Sequence, residues 1–74
     1  MKVIWGAEDI KPGRRYSKHG IEETWMIGYI SAVDGPVRYV SVSDQDGMVT
    51  EPSTKEDLAR SLTEHDYLPM ELLD

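Results

Sequence analysis

The longest run with bulky apolar residues at both parities is Thr24–Val33, TWMIGYISAV. In a β-strand, side chains alternate between two faces. Trp25, Ile27, Tyr29 and Val33 therefore point one way, Met26, Ile30 and Ala32 the other. A strand that is apolar on both sides needs cover on both sides. We read this run as the central strand, with Gly28 marking a bend within it.

Upstream, Lys2–Trp5 (KVIW) predicts a short edge or closing strand, broken by Gly6 and the acidic Glu8-Asp9. Ile10-Lys11-Pro12-Gly13 predicts a type II turn, because proline presets φ at the second position and glycine accepts φ > 0 at the third. Arg14–His19 then starts a strand with Tyr16 inward, ended by Gly20.

Downstream, Val33-Asp34-Gly35-Pro36 separates the central strand from Val37–Ser43. Asp-Gly alone suggests a two-residue type I′ hairpin. Pro36 has no N–H to close that turn, which favours a four-residue loop over residues 33–36. Either geometry sets Ile27 opposite Val42, Tyr29 opposite Val40 and Ile30 opposite Tyr39. One face then collects Trp25, Ile27, Tyr29, Val40 and Val42.

Asp44-Gln45-Asp46-Gly47 predicts a second turn, leading to Met48–Glu51. Pairing Ser43 with Met48 places Val49 opposite Val42, completing a three-stranded meander. The other face holds Met26, Ile30, Val37 and Tyr39 but turns polar at Ser41, Ser43 and Thr50. It is half-covered at most.

After Pro52 the period changes. Thr54 with Asp57 three residues on forms a capping-box pattern, and Glu56 and Asp57 suit the positive end of a helix dipole. Leu58, Ala59 and Leu62 make a narrow apolar stripe, with Glu56, Arg60 and Glu64 as an outward ladder. The spacing predicts a helix over Lys55–His65. Tyr67-Leu68-Pro69 ends it, and Met70–Leu73 is read as a last short strand.

The expected order is thus an N-terminal strand or arm, a bent meander, one helix and a closing strand, in a single domain. In element order, this mainly β arrangement resembles small SH3-like barrels. The KPGRRY turn, tryptophan-bearing strand, D-G turn and capped helix together resemble many small bacterial and phage proteins. These likenesses carry no functional residues.

Charge adds an asymmetry. Residues 1–40 hold six basic and five acidic side chains, residues 41–74 two basic and nine acidic, for a net −6. Such a chain repels phosphate backbones as a whole. Lys11, Arg14, Arg15 and Lys18, with Tyr16 among them, are the local exception. They read either as a phosphate contact with Tyr16 stacking on a base, or as a solvated edge that discourages strand pairing. The acidic second half reads as a solubilising surface or as an imitation of DNA.

Reactive chemistry is sparse. There are no cysteines, which fits a reducing cytoplasm and leaves no thiolate site. His19 and His65 stand far apart, without metal-ligand spacing, and His65 suits a helix C-terminus. Asp44–Gly47 lacks the further ligands of a calcium loop and reads as a turn. No glycine-rich loop opens the helix, the start is no signal peptide, and no apolar run spans a bilayer.

The expectation is a cytoplasmic, non-enzymatic protein-interaction module without cofactor or metal, partnered by another protein or by its own copy through Met26, Ile30, Val37 and Tyr39. The alternatives are a nucleic-acid-binding accessory protein using Lys11–Lys18, and an acidic DNA mimic.

Overall fold

In a computed structural model, residues 2–18, 20–31 and 33–72 are described. Strands β1 (Arg15–Ser17), β2 (Trp25–Ile30) and β3 (Arg38–Ser43) precede helix α1 (Lys55–Glu64), and strand β4 (Leu68–Pro69) follows it. Single 3-10 turns lie at Ala7–Asp9 and Met70–Leu72. The four strands form one antiparallel sheet in the order β3-β2-β1-β4. The fold is therefore mainly β with one helix. The sheet is open, with β3 and β4 as its two edges, so the expected barrel closure is not formed.

Two turns match the sequence reading. The Lys11–Arg14 turn closes by Arg14 N–H on Lys11 O at 3.1 Å, with Gly13 at φ 90. The Asp44–Gly47 hairpin brings Ser43 N–H to Met48 O at 2.9 Å and bridges Val42 to Val49. Beyond this bridge the third meander strand is not continuous. Tyr39 and Ser53 form the next isolated bridge, so the segment follows the outer edge of β3 only at points.

The β2–β3 register differs by one residue from the expected one. Ile30 pairs with Arg38, Tyr29 with Tyr39, Ile27 with Ser41 and Trp25 with Ser43. Because side chains alternate, this single step exchanges the faces of β3. Tyr16, Trp25, Ile27, Tyr39 and Ser41 now share the face under the helix. Met26, Gly28, Ile30, Val40 and Val42 occupy the other. Ser41 is buried on the inner face, where its Oγ accepts the Tyr16 hydroxyl and its N–H donates to Thr50 Oγ1 at 2.9 Å. Val40 lies instead over Gly28, where an added Cβ would stand 3.4 Å from its Cγ2.

The core consists of Trp5, Ile10, Tyr16, Ile27, Leu58, Ala59 and Leu62, with Val3, Trp25, Tyr39 and Tyr67 packed against it. Lys2–Trp5 is not a strand. It is an arm held by Trp5, whose backbone N–H donates to Thr63 Oγ1 at 2.8 Å and whose indole N–H donates to Tyr67 O at 2.9 Å. The closing strand also differs: Leu68-Pro69 pairs with β1, while Met70–Leu72 turns away. Pro69 is tolerated because β4 is an edge, where a missing N–H leaves no gap in the ladder. The parts of the reading that fall on Ala32, His19 and Leu73 lie outside the described residues.

Helix α1 begins as expected. Thr54 is the N-cap and its hydroxyl accepts the Asp57 N–H at 3.1 Å. Leu58, Ala59 and Leu62 are buried. In place of the Glu56–Arg60–Glu64 ladder, Arg60 lies 3.7 Å from Asp57. At the other end, Tyr67 N–H bonds Leu62 O and Asp66 N–H bonds Thr63 O, with Asp66 at φ 58. This is a Schellman ending with aspartate in the left-handed position that glycine fills best. Asp66→Gly is expected to stabilise the protein by about 0.5–1 kcal/mol, and Asp66→Val to destabilise it by a similar amount or more. Urea midpoints of the two variants check this.

Candidate functional site

Of the four residues read as a partner face, the sheet register puts only Met26 and Ile30 on one face of the strands. Ile30 lies near the end of β2, and Val37 follows in the loop before β3. Tyr39 is on the opposite face, half-buried against the core with the Lys55 ammonium 5.4 Å from its ring centre. Its substitution therefore disturbs packing beneath the helix. Tyr29, placed inward by the sequence reading, is instead 58% exposed, next to Ile30 at 48% and Val37 at 44%. Val33 is fully exposed at the loop. The hairpin thus presents apolar side chains on both faces beyond the reach of α1. Ile27, in the middle of β2, is fully enclosed.

The backbone here is equally open. Tyr39 exchanges both main-chain bonds with Ser53, at 2.8 and 2.9 Å, so its polar groups point away from β2. In an antiparallel ladder its partner Tyr29 must then point away from β3. The same side of β2 is occupied two residues earlier, where Ile27 N–H donates to Arg14 O and Gly13 N–H to Ile27 O. Past Gly13 the chain turns off. Among the described residues, no backbone group pairs with the Tyr29 N–H or C=O, which makes this stretch a free sheet edge.

The basic segment is largely engaged within the chain. Arg14 donates to Asp9 O at 3.1 Å and to Glu71 Oε1 at 2.9 Å, and stands 5.4 Å from the centre of the Trp5 ring. Glu71 is held below the usual carboxylate range by its own backbone N–H and by Arg14. Arg15 pairs with Asp44, which also accepts the Thr24 hydroxyl. The Lys18 ammonium lies 4.7 Å from the Tyr67 ring centre. Tyr16 is 3% exposed and donates its hydroxyl to Ser41 Oγ, so its ring is out of reach of a base. Lys11 is exposed on the turn.

A second feature had no sequence signal, because it depends on how distant segments meet. An open cleft of about 480 Å³ runs between α1, the inner sheet face and residues Thr50–Ser53. Asp57, Ser61 and His65, spaced one helical turn apart, line it from the helix, and Glu51 lines it from the facing segment. Trp25 and Tyr67 contribute aromatic surface. His65 Nδ1 lies 2.8 Å from Ser61 O; a carbonyl only accepts, so Nδ1 carries a proton and Nε2 is the ring nitrogen left free of this bond.

In the Asp44–Gly47 turn, Asp46 Oδ1 accepts the Met48 N–H at 3.0 Å, the short-range bond of an aspartate turn. No group of three metal-ligating side chains occurs among the described residues, nor a helix long and apolar enough to cross a membrane. No protein-family model matches the chain, and neither a similar curated protein nor a similar solved structure was found.

Proposed function

We propose that this protein is a non-enzymatic protein-interaction module whose contact element is the β2–β3 hairpin. One observation carries the reading: Tyr29, Ile30 and Val37 are exposed together on a stretch whose sheet edge is unpaired. An extended partner segment aligned on Tyr29 gains main-chain hydrogen bonds and apolar contacts on both faces at once. Tyrosine and isoleucine are also the types of side chain that interface cores favour over charged ones. A second copy of the chain meets the same requirements.

Tyr29→Lys with Ile30→Lys is expected to abolish association while leaving the thermal midpoint nearly unchanged, since both side chains are largely solvated. Sedimentation of wild type and variant at high micromolar concentration checks the self-associating version. A strictly monomeric wild type ends that version. An unaltered complex in the variant removes the hairpin from consideration.

The nucleic-acid reading has less support, because Arg14 and Arg15 are paired with carboxylates and Tyr16 is buried. The DNA-mimic reading rests on net charge alone.

A further inference from the structure

We propose that the cleft beside α1 binds an alkylammonium group, supplied by a lysine side chain of a protein partner or by a free amine. The lining is electrostatically one-sided. Glu51 and Asp57 contribute carboxylates, and no lysine or arginine lines the cleft. Glu51 forms no ion pair among the described residues. Asp57 has Arg60 at 3.7 Å, with both side chains more than 60% exposed, so this pair is weak and readily exchanged.

The remaining polar groups favour the same ligand. The Tyr16 hydroxyl is committed to Ser41 Oγ, and the Thr50 hydroxyl accepts the Ser41 N–H at 2.9 Å. An anion would meet two carboxylates here, whereas an ammonium meets carboxylates, acceptors and aromatic rings. Trp25 and Tyr67 supply apolar surface for the alkyl stem and ring faces for the charge. Tyr67 already faces one ammonium, that of Lys18, which does not itself line the cleft.

The test follows the Trp25 indole resonance by NMR in the full chain. It is titrated at constant ionic strength with n-butylammonium chloride, sodium butyrate, n-butanol and a lysine-containing peptide capped at both ends. Saturable shifts are expected with butylammonium, with millimolar affinity, and none with butyrate. Glu51→Gln and Asp57→Asn each weaken binding about two- to fivefold, and the double variant roughly tenfold. Both side chains are exposed, so these variants keep the fold. Tighter binding of the peptide than of butylammonium identifies a protein lysine as the source, and the reverse identifies a free amine. Equal shifts with butanol, no saturable response to any cation, or unchanged affinity in the double variant would overturn the proposal.

Discussion

Replacing Trp5 by alanine is expected to remove about 3–5 kcal/mol, a large share of the protein's stability. Trp5 is buried, its ring meets Tyr16 edge-on at 6.0 Å, and its indole N–H caps the Tyr67 carbonyl. Truncating a buried tryptophan costs about 3–5 kcal/mol. A chain of this length has a total stability of about 4–11 kcal/mol, so the variant loses much or all of it. Trp5→Phe separates the contributions. It keeps most of the apolar contact but leaves the Tyr67 carbonyl without its donor, for a loss of about 1–2 kcal/mol. Denaturant titration followed by far-ultraviolet circular dichroism measures both. A Trp5→Ala variant within about 1 kcal/mol of wild type would show that the N-terminal arm is not part of the core.

Alkaline titration should reveal the second large effect. Burial pushes the Tyr16 hydroxyl up from 10.0 to about 12, with the Ser41 hydrogen bond acting the other way and Tyr67 adding slightly to the rise. The folded protein therefore holds a proton that the unfolded chain releases first. This stabilisation is fully present below pH 10, where both states are protonated. It is lost as pH rises from the unfolded pKa through the folded value near 12. The loss across this window is on the order of 2 kcal/mol.

Tyr16→Phe should remove most of that dependence, and at neutral pH it should cost about 1–3 kcal/mol by leaving the buried Ser41 hydroxyl without its partner. Adding Ser41→Ala should recover part of the cost, because the orphaned group is gone. Stability of the four proteins at pH 7 and across the alkaline range gives the complete cycle. An unchanged alkaline profile in Tyr16→Phe would assign the effect to other groups.

Local chemistry was readable wherever it decided the structure. Thr54 and the Leu58–Leu62 stripe identified the helix, Pro12-Gly13 its turn, and Asp44–Gly47 the pairing of Val42 with Val49. What escaped depended on tertiary choices. The β2–β3 register turns Ser41 inward, bonded to Tyr16 and Thr50, where alternation alone favoured Val40 and Val42. The burial of Trp5 and Leu68 was not legible: Lys2–Trp5 reads as an edge or closing strand and Tyr67–Pro69 as a helix end. Instead, Trp5 is held by hydrogen bonds to residues about sixty positions away and Leu68 by an edge strand containing proline. The same register separated Tyr39 from Met26 and Ile30, while Tyr29 is exposed because it lies beyond the reach of α1. The cleft was illegible because Glu51 and Asp57 acquire a shared meaning only once α1 folds back over the sheet.

Strand β1 is only three residues long, yet it lies between β2 and β4 and joins segments distant in the chain. Its pairing with β4, like the seating of Trp5 against Tyr67, closes loops of about fifty to sixty residues. Closing such loops is entropically costly before the contacts they permit begin to compensate, and folds dominated by distant pairings are slow to form. The β2–β3 hairpin and α1 need only neighbouring residues. They are therefore expected to form early in refolding, with the arm and β4 docking late. During that interval, the backbone edge of β1 that later pairs with β4 is open, and collisions between chains compete with folding. Refolding yield should accordingly fall with protein concentration well before equilibrium stability does.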